Sequence, residues 1–410
     1  MSEVSLSPRD RLFCLIALIG ALAVVSTTSS LTWPILSESL RNQGFSEPAI
    51  SLNAAAQFAG IVIVALLATK IIPRLGFLRA IILGLVLVAS MLLILPLMRD
   101  YYAWFLIRFV LGIGNSLLFT AGDTWINQIL DDRVRGRWLG IYSTIGMAGW
   151  AVGPIIGSQM DPETIWPFLV GIGAVLIAGT LLWPTRKIEI GFGEEEQRGS
   201  GLGKLLLVFV AAPTVLLSSA MFGVLEGGMQ SFAHLYTMDV LGQEFRQIGY
   251  AVIWVGSLGA IFFQFPAGWL ADKMDRGWLL VICVFVLLLA LAAFPFLIEG
   301  GLKPWWTLDG LMLWGVISVW GGTMGAIFTV GITLLGERFK SVELVAANAV
   351  FSLFFGIGGM VGPLMVGTAM EEIGPSGFPL SLVIVVLIYG VFATYRQMTR
   401  KARIARGKGD

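Results

Sequence analysis

Apolar residues along this chain fall in long runs, not in the alternating pattern of half-buried strands. Twelve stretches qualify: 12–34, 48–69, 77–98, 101–129, 138–160, 164–184, 205–237, 247–270, 278–298, 305–335, 343–370 and 376–395. Each approaches or exceeds the roughly 20 apolar residues that a helix needs to cross the hydrocarbon core of a bilayer. Backbone polar groups in lipid must be satisfied within their own segment, so every run predicts a membrane-spanning helix. The first run is too long for the apolar core of a signal peptide, and no small-residue cleavage site follows it, so it is expected to stay as a helix. Only one spacer is substantial, the polar, glycine-rich "RKIEIGFGEEEQRGSGLGK" after the sixth run. It predicts three parts: a six-helix bundle over 1–184, a cytoplasmic linker over 185–204, and a second six-helix bundle over 205–410 with a short basic tail.

Composition agrees. Of 410 residues, 57% are hydrophobic and 13% charged, against about 25% charged in ordinary soluble domains. The lipid bilayer is therefore the expected surrounding. Charge placement then orients the chain. Of 27 Lys and Arg, Arg108 lies within a span, while Arg41, Arg99, Arg246 and Lys303 fall on one side; the other 22 fall on the side shared by both termini. Positive loops stay inside, which puts both termini in the cytoplasm of a multi-pass inner-membrane protein. The two cysteines, Cys14 and Cys283, sit in different runs, and His234 is the only histidine, so neither a disulfide framework nor a metal site is expected.

The two halves also match each other. At an offset of 209 residues, Gly112 meets Gly321, Thr120 meets Thr329, Gly122 meets Gly331 and Gly149 meets Gly358; Val152, Gly153 and Pro154 meet Val361, Gly362 and Pro363. Paired six-helix halves of this kind are the design of one large transporter class.

Four segments then resemble the signature motifs of the major facilitator superfamily: "RFVLGIG" (Arg108, Gly112, Gly114), "RVRGRWLG" between helices 4 and 5, "GWAVGPIIG" in helix 5, and "GWLADKMDR" between helices 8 and 9. The resemblance spans the chain and implies an all-α membrane protein: twelve transmembrane helices in two pseudo-symmetric halves, the major facilitator fold. It also implies alternating access about a central cavity lined by helices 1, 4, 7 and 10. It associates the helix 5 motif with antiporters and the arginine of helix 4 with proton coupling. In physical terms Gly149, Gly153 and Pro154, with Gly358, Gly362 and Pro363, read first as close helix packing, since glycine admits a neighbouring helix and proline bends the axis. Asp272, Lys273 and Arg276, with Arg135 and Arg137, form a candidate conformational latch of charges at helix ends. The first-half position matching Asp272 is Pro73, a departure from the motif that leaves Arg74, Gly76 and Arg79.

Polar residues inside spans are the candidate cavity. Ser116, Thr120, Asp123 and Asn127 share one stripe of helix 4, and a carboxylate facing lipid would cost several kcal/mol. Asp123 either anchors Arg133, Arg135 or Arg137, or binds a proton or cationic group; its repeat mate is Ile332, so duplication does not require it. On helix 7, Ser219, Glu226, Gln230 and His234 share a face, with no Lys or Arg within seven positions of Glu226. Such an acid can take up and release a proton during a transport cycle. An acid merely hydrogen-bonded between helices is the other reading. Its approximate mate is Thr27, in "STTSS" of helix 1. Arg108 is about 22 Å from Asp123 along helix 4, so the two cannot pair; it takes part in coupling or snorkels to the outer surface. His234 reads as interfacial. Asn53 and Gln57 on helix 2, and Tyr250, Trp254, Ser257 and Gln264 on helix 8, extend the polar-aromatic stripes.

No phosphate-binding glycine loop, nucleophile–histidine pair or nucleotide-binding domain is present in the sequence, so neither an enzyme nor an ATP-driven pump is expected, nor a nucleic-acid partner. The reading is a monomeric, proton-coupled secondary transporter exporting a small organic solute without a cofactor. Alternatives are an importer or facilitator of an organic metabolite, and a non-transporting scaffold or receptor. Two acids within spans, few bases and many aromatics lean toward amphipathic or cationic substrates.

Overall fold

The computed structural model describes residues 8–130, 132–187, 208–339 and 341–405. Their framework is twelve long helices: α1 (Pro8–Asn42), α2 (Glu47–Leu75), α3 (Phe77–Ile94), α4 (Tyr101–Ile129), α5 (Asp132–Ser158), α6 (Trp166–Leu182), α7 (Pro213–Leu241), α8 (Arg246–Lys273), α9 (Arg276–Glu299), α10 (Leu308–Arg338), α11 (Ser341–Ile373) and α12 (Gly377–Ala405). Ten segments of the described residues are long and apolar enough to cross a membrane; α5 and α7 are the exceptions. In α7 the cause is its polar content, Ser218, Ser219, Glu226, Gln230, Ser231 and His234.

Helix ends depart from the apolar runs, for identifiable reasons. α1 runs from Pro8 to Asn42, well past the 12–34 stretch, because hydropathy reports where lipid is expected and not where backbone hydrogen bonding stops. α7 starts at Pro213 and not at 205: Ala212 is non-helical (φ −131°, ψ 49°), and proline, with φ already set and no N–H to satisfy, suits a first turn. α3 stops at Ile94, short of 98. Asp100, Asp275 and Thr307 cap α4, α9 and α10, each accepting from a backbone N–H three residues on.

The residues group into two compact units, Met1–Gly201 and Leu202–Asp410. The same pairings recur in each. In the first, α1 packs on α5 and α6, α2 on α4, and α3 on α4 and α6; in the second, α7 packs on α11 and α12, α8 on α10, and α9 on α10 and α12. Glycines set the closest of these approaches. A Cβ at Gly112 would fall 1.9 Å from the Gln57 carbonyl oxygen, and one at its repeat mate Gly321 would fall 1.9 Å from that of Gly256. In the α1–α5 and α7–α11 pairs, a Cβ at Gly153 would meet the Thr27 carbonyl at 2.5 Å and one at Gly362 the Val224 carbonyl at 2.2 Å. Backbone against backbone at these separations is possible only without a side chain.

Two stretches are buried on every face: Thr28 to Leu40 of α1, and Gly227 to Met238 of α7. At this end of the first unit, Glu163 in the α5–α6 connection accepts from Ser39 Oγ at 2.9 Å, and its backbone carbonyl accepts from Arg99 Nη2 at 2.6 Å. The end of α1, the α3–α4 connection and the α5–α6 connection are thus tied together there.

Candidate functional site

The first polar centre is built by α1, α2 and α4. Gly112 lets the α2 backbone rest on α4. One turn away from that crossing on each helix, Asn53 of α2 meets Arg108 of α4. Arg108 is 1% exposed, Asn53 0%, Gln57 2% and Trp33 4%. The guanidinium donates from Nη1 to Asn53 Oδ1 at 3.3 Å and from Nη2 to the Trp33 carbonyl at 3.5 Å. Both acceptors are neutral, and among the described residues Arg108 forms no salt bridge. Snorkelling is therefore overturned: the side chain turns into the unit, because α1 and α2 offer it oxygens there. Trp33 packs edge-on against Phe58 and Trp150, with ring centroids 5.0 and 5.3 Å away.

The second centre lies farther along α4, on the same face. Asp123 is exposed, and its Oδ1 accepts from the buried Tyr142 hydroxyl of α5 at 2.7 Å, an ordinary length for a hydroxyl donor. An apolar hollow lined by Leu18, Leu22, Ile81, Leu118 and Tyr142 adjoins the pair. Ser116 serves a different neighbour, donating to the Ile61 carbonyl of α2 at 3.4 Å. The side chains of Asn127, Arg133, Arg135 and Arg137 lie outside the described residues.

In the second unit Glu226 is half-buried in α7. Gln230 Nε2 donates to its Oε1 at 3.0 Å, and no salt bridge reaches Glu226 among the described residues. One further turn on, His234 is fully buried, with its ring 5.2 Å from that of Tyr250. The interfacial reading of His234 is thereby corrected: Gly249 of α8, whose missing side chain would fall 2.8 Å from the His234 Cα, brings α8 over it. Arg246 lies across the Tyr250 ring at 4.7 Å and donates to its hydroxyl at 3.3 Å. Trp254, Ser257 and Gln264 are half-buried along α8. Thr27 is half-buried and donates back to the Ala23 carbonyl at 2.8 Å.

Charges at the α8–α9 turn are joined as follows. Arg276 reaches Asp272 at 3.5 Å, pairs with Glu337 of α10, and donates from Nε to the Ala271 carbonyl at 3.0 Å. Lys273 instead stands over the Trp269 ring at 3.6 Å. In the first unit Pro73 sits inside α2, with Arg74 and Arg79 exposed on either side of Gly76 (φ 83°).

Sequence reasoning missed Trp33, Tyr142 and Glu337. Asp123 lies 7 residues before Leu130 and Tyr142 lies 10 after Asp132, so antiparallel α4 and α5 bring them to within about a turn of each other. Trp33 carried no such mark, being one of fourteen tryptophans.

Among curated proteins, the chain is 23% identical over 364 residues to the uncharacterized MFS-type transporter YfkF of Bacillus subtilis (strain 168), covering 88% of this chain and 89% of the relative. It is 24% identical over 377 residues to the uncharacterized MFS-type transporter YcaD of Escherichia coli (strain SE11), covering 92% of each. Among solved structures, a bacterial homolog of the human lysosomal transporter Spinster, inward-facing and unoccupied, superposes with a TM-score of 0.71 at 17% identity, covering 94% of this chain and 96% of that one. A mutant of the nucleoside transporter NupG gives a TM-score of 0.72 at 14% identity over 95% and 99% of the two chains. The sequence profile of the Major Facilitator Superfamily matches residues 18–322 and 254–409. Nearly the whole chain is accounted for by that profile, and the repeated helix pairings are those of two matching halves, so the chain belongs to the major facilitator superfamily and is a multi-pass membrane transporter.

Proposed function

We propose that this transporter is a proton-coupled secondary carrier that exports a small organic solute by alternating access, with Glu226 as the coupling acid. One observation carries the reading: in the middle of α7 a half-buried carboxylate is held by a neutral amide, Gln230 Nε2 at 3.0 Å, with no cation paired to it among the described residues. A structural carboxylate inside a span is normally paired. One left with a neutral donor can lose or gain its proton without breaking an ion pair. Asp123 is the secondary candidate, and Arg108 takes part through solute rather than through these acids. The protein works as a monomer in the inner membrane with both termini cytoplasmic, and performs no covalent chemistry. The nucleoside transporter and the Spinster homolog share its fold at identities too low to lend it a substrate.

The test uses everted membrane vesicles acidified inside by respiration, with quenching of a pH-sensitive acridine dye as the readout. Metabolites and amphiphilic drugs are added singly. A compound exchanged for protons restores fluorescence in wild-type vesicles and leaves it quenched with Glu226→Gln, while counterflow exchange at equal pH survives in that variant. Restoration by Glu226→Gln at the wild-type rate would show that Glu226 is structural.

A further inference from the structure

We propose that the Arg108 centre is a binding site for the anionic group, carboxylate or phosphate monoester, of the transported solute. The inference rests on the proposed transport function and names its substrate class.

Around Arg108 three buried donors are left unmade, against one neighbouring buried acceptor, Gln57 Oε1. Arg108 Nε, Asn53 Nδ2 and the Trp33 indole Nε1 are all buried and all lack a hydrogen-bond partner. All three are N–H donors, and they belong to side chains already joined to one another through Arg108 Nη1–Asn53 Oδ1 and Arg108 Nη2–Trp33 O. A buried donor left unmade costs about 1–3 kcal/mol, and more for a charged one. Three together, around a guanidinium with no salt bridge among the described residues, form an environment short of negative oxygen atoms. A cationic solute would be repelled here. A carboxylate or phosphate would meet the planar fork of an arginine, the donor suited to bidentate binding of these groups. The Trp33, Phe58 and Trp150 rings beside it would take the apolar part of such a solute. The leaning toward amphipathic or cationic substrates that composition suggested is thus reversed at this site. In this structure the cluster is buried; a carrier that alternates opens each end of its path in turn, which would expose it.

The test is ligand-induced thermal stabilisation of the full chain in neutral detergent, with benzoate and phenyl phosphate as probes and benzamide as the uncharged control. No proton gradient is involved, so the outcome is read separately from that of Glu226→Gln. Both anions are expected to raise the Tm in a concentration-dependent way, and benzamide to leave it unchanged. Arg108→Gln should abolish the shift. Because that variant removes a buried side chain and can fail to fold, Asn53→Asp provides the second arm. It changes one atom and places a carboxylate against the guanidinium where the amide oxygen stands at 3.3 Å. The protein then carries its own counter-ion, so Asn53→Asp should fold at least as stably as wild type and lose the response to both anions. Equal shifts with benzamide, no shift with either anion, or a full response in Asn53→Asp each overturn the proposal. A shift with phosphatidylglycerol but neither soluble anion also overturns it, by assigning the site to lipid.

Discussion

At the scale of residues, charges inside spans found their partners on helices that one-dimensional patterning does not connect. Asp123 was visible in the sequence as a carboxylate within an apolar run, read either as the partner of one of the following arginines, whose side chains lie outside the described residues, or as a site for a proton or cationic group. The structure gives it the Tyr142 hydroxyl, 2.7 Å away across the α4–α5 turn. Removing that hydroxyl with Tyr142→Phe should lower stability by about 1 kcal/mol, the usual net worth of such a bond. Asp123→Asn combined with it should cost little beyond the larger single effect, since contacting residues are not additive. Thermal unfolding of the four proteins in detergent measures this; fully additive losses would show that the bond contributes nothing. Arg108 and His234 teach the same lesson. Each lies near one end of an apolar run, where lipid-facing and protein-facing positions look alike in sequence. Burial at 1% and 0% was decided by α1 and α2 around the first and by α8 around the second.

At the scale of elements, the existence of all twelve helices was legible and their ends were not. Apolar content predicts what sits in lipid, whereas ends are set by local backbone chemistry such as Pro213 at the start of α7. The glycines were more informative than hydropathy, because duplication marked which ones matter: Gly112 and Gly321 repeat at one offset and make the same backbone crossing in both units. Gly112→Ala must part α2 from α4 against the Gln57 carbonyl, and its cost should be at least the 1–3 kcal/mol typical of overpacking. It should also disturb the Arg108–Asn53 contact one turn away. Gly315→Ala in α10 is the control, with nothing within 4 Å of the added methyl. It should be neutral or stabilising by about 0.5–1 kcal/mol, because alanine is the better helix former. A lower Tm for Gly315→Ala than for Gly112→Ala would refute this account of the packing.

At the scale of the whole molecule, the duplicated halves were legible because packing constraints keep Gly and Pro at matching positions, while the chemistry was only partly legible because it breaks that symmetry. Asp123 faces Ile332 in the repeat, and Glu226 faces Thr27. Orientation in the membrane rests on charge alone: 22 of the 27 basic residues fall on the side of the termini, the exceptions being Arg41, Arg99, Arg108, Arg246 and Lys303. Translocating that many cations is unfavourable, so the 185–204 linker is expected inside the cell. Its residues lie almost wholly outside those the structure describes, but the position of Ser200 in the sequence suffices for an experiment. Cys14 and Cys283 are both buried, so a single added thiol gives a clean signal. Ser200→Cys should be labelled by a membrane-impermeant maleimide in everted vesicles and not in intact spheroplasts. Labelling in spheroplasts would invert the orientation. It would leave the direction of coupled exchange unchanged, since protons entering down their gradient drive solute outward through an exchanger whichever way the chain faces.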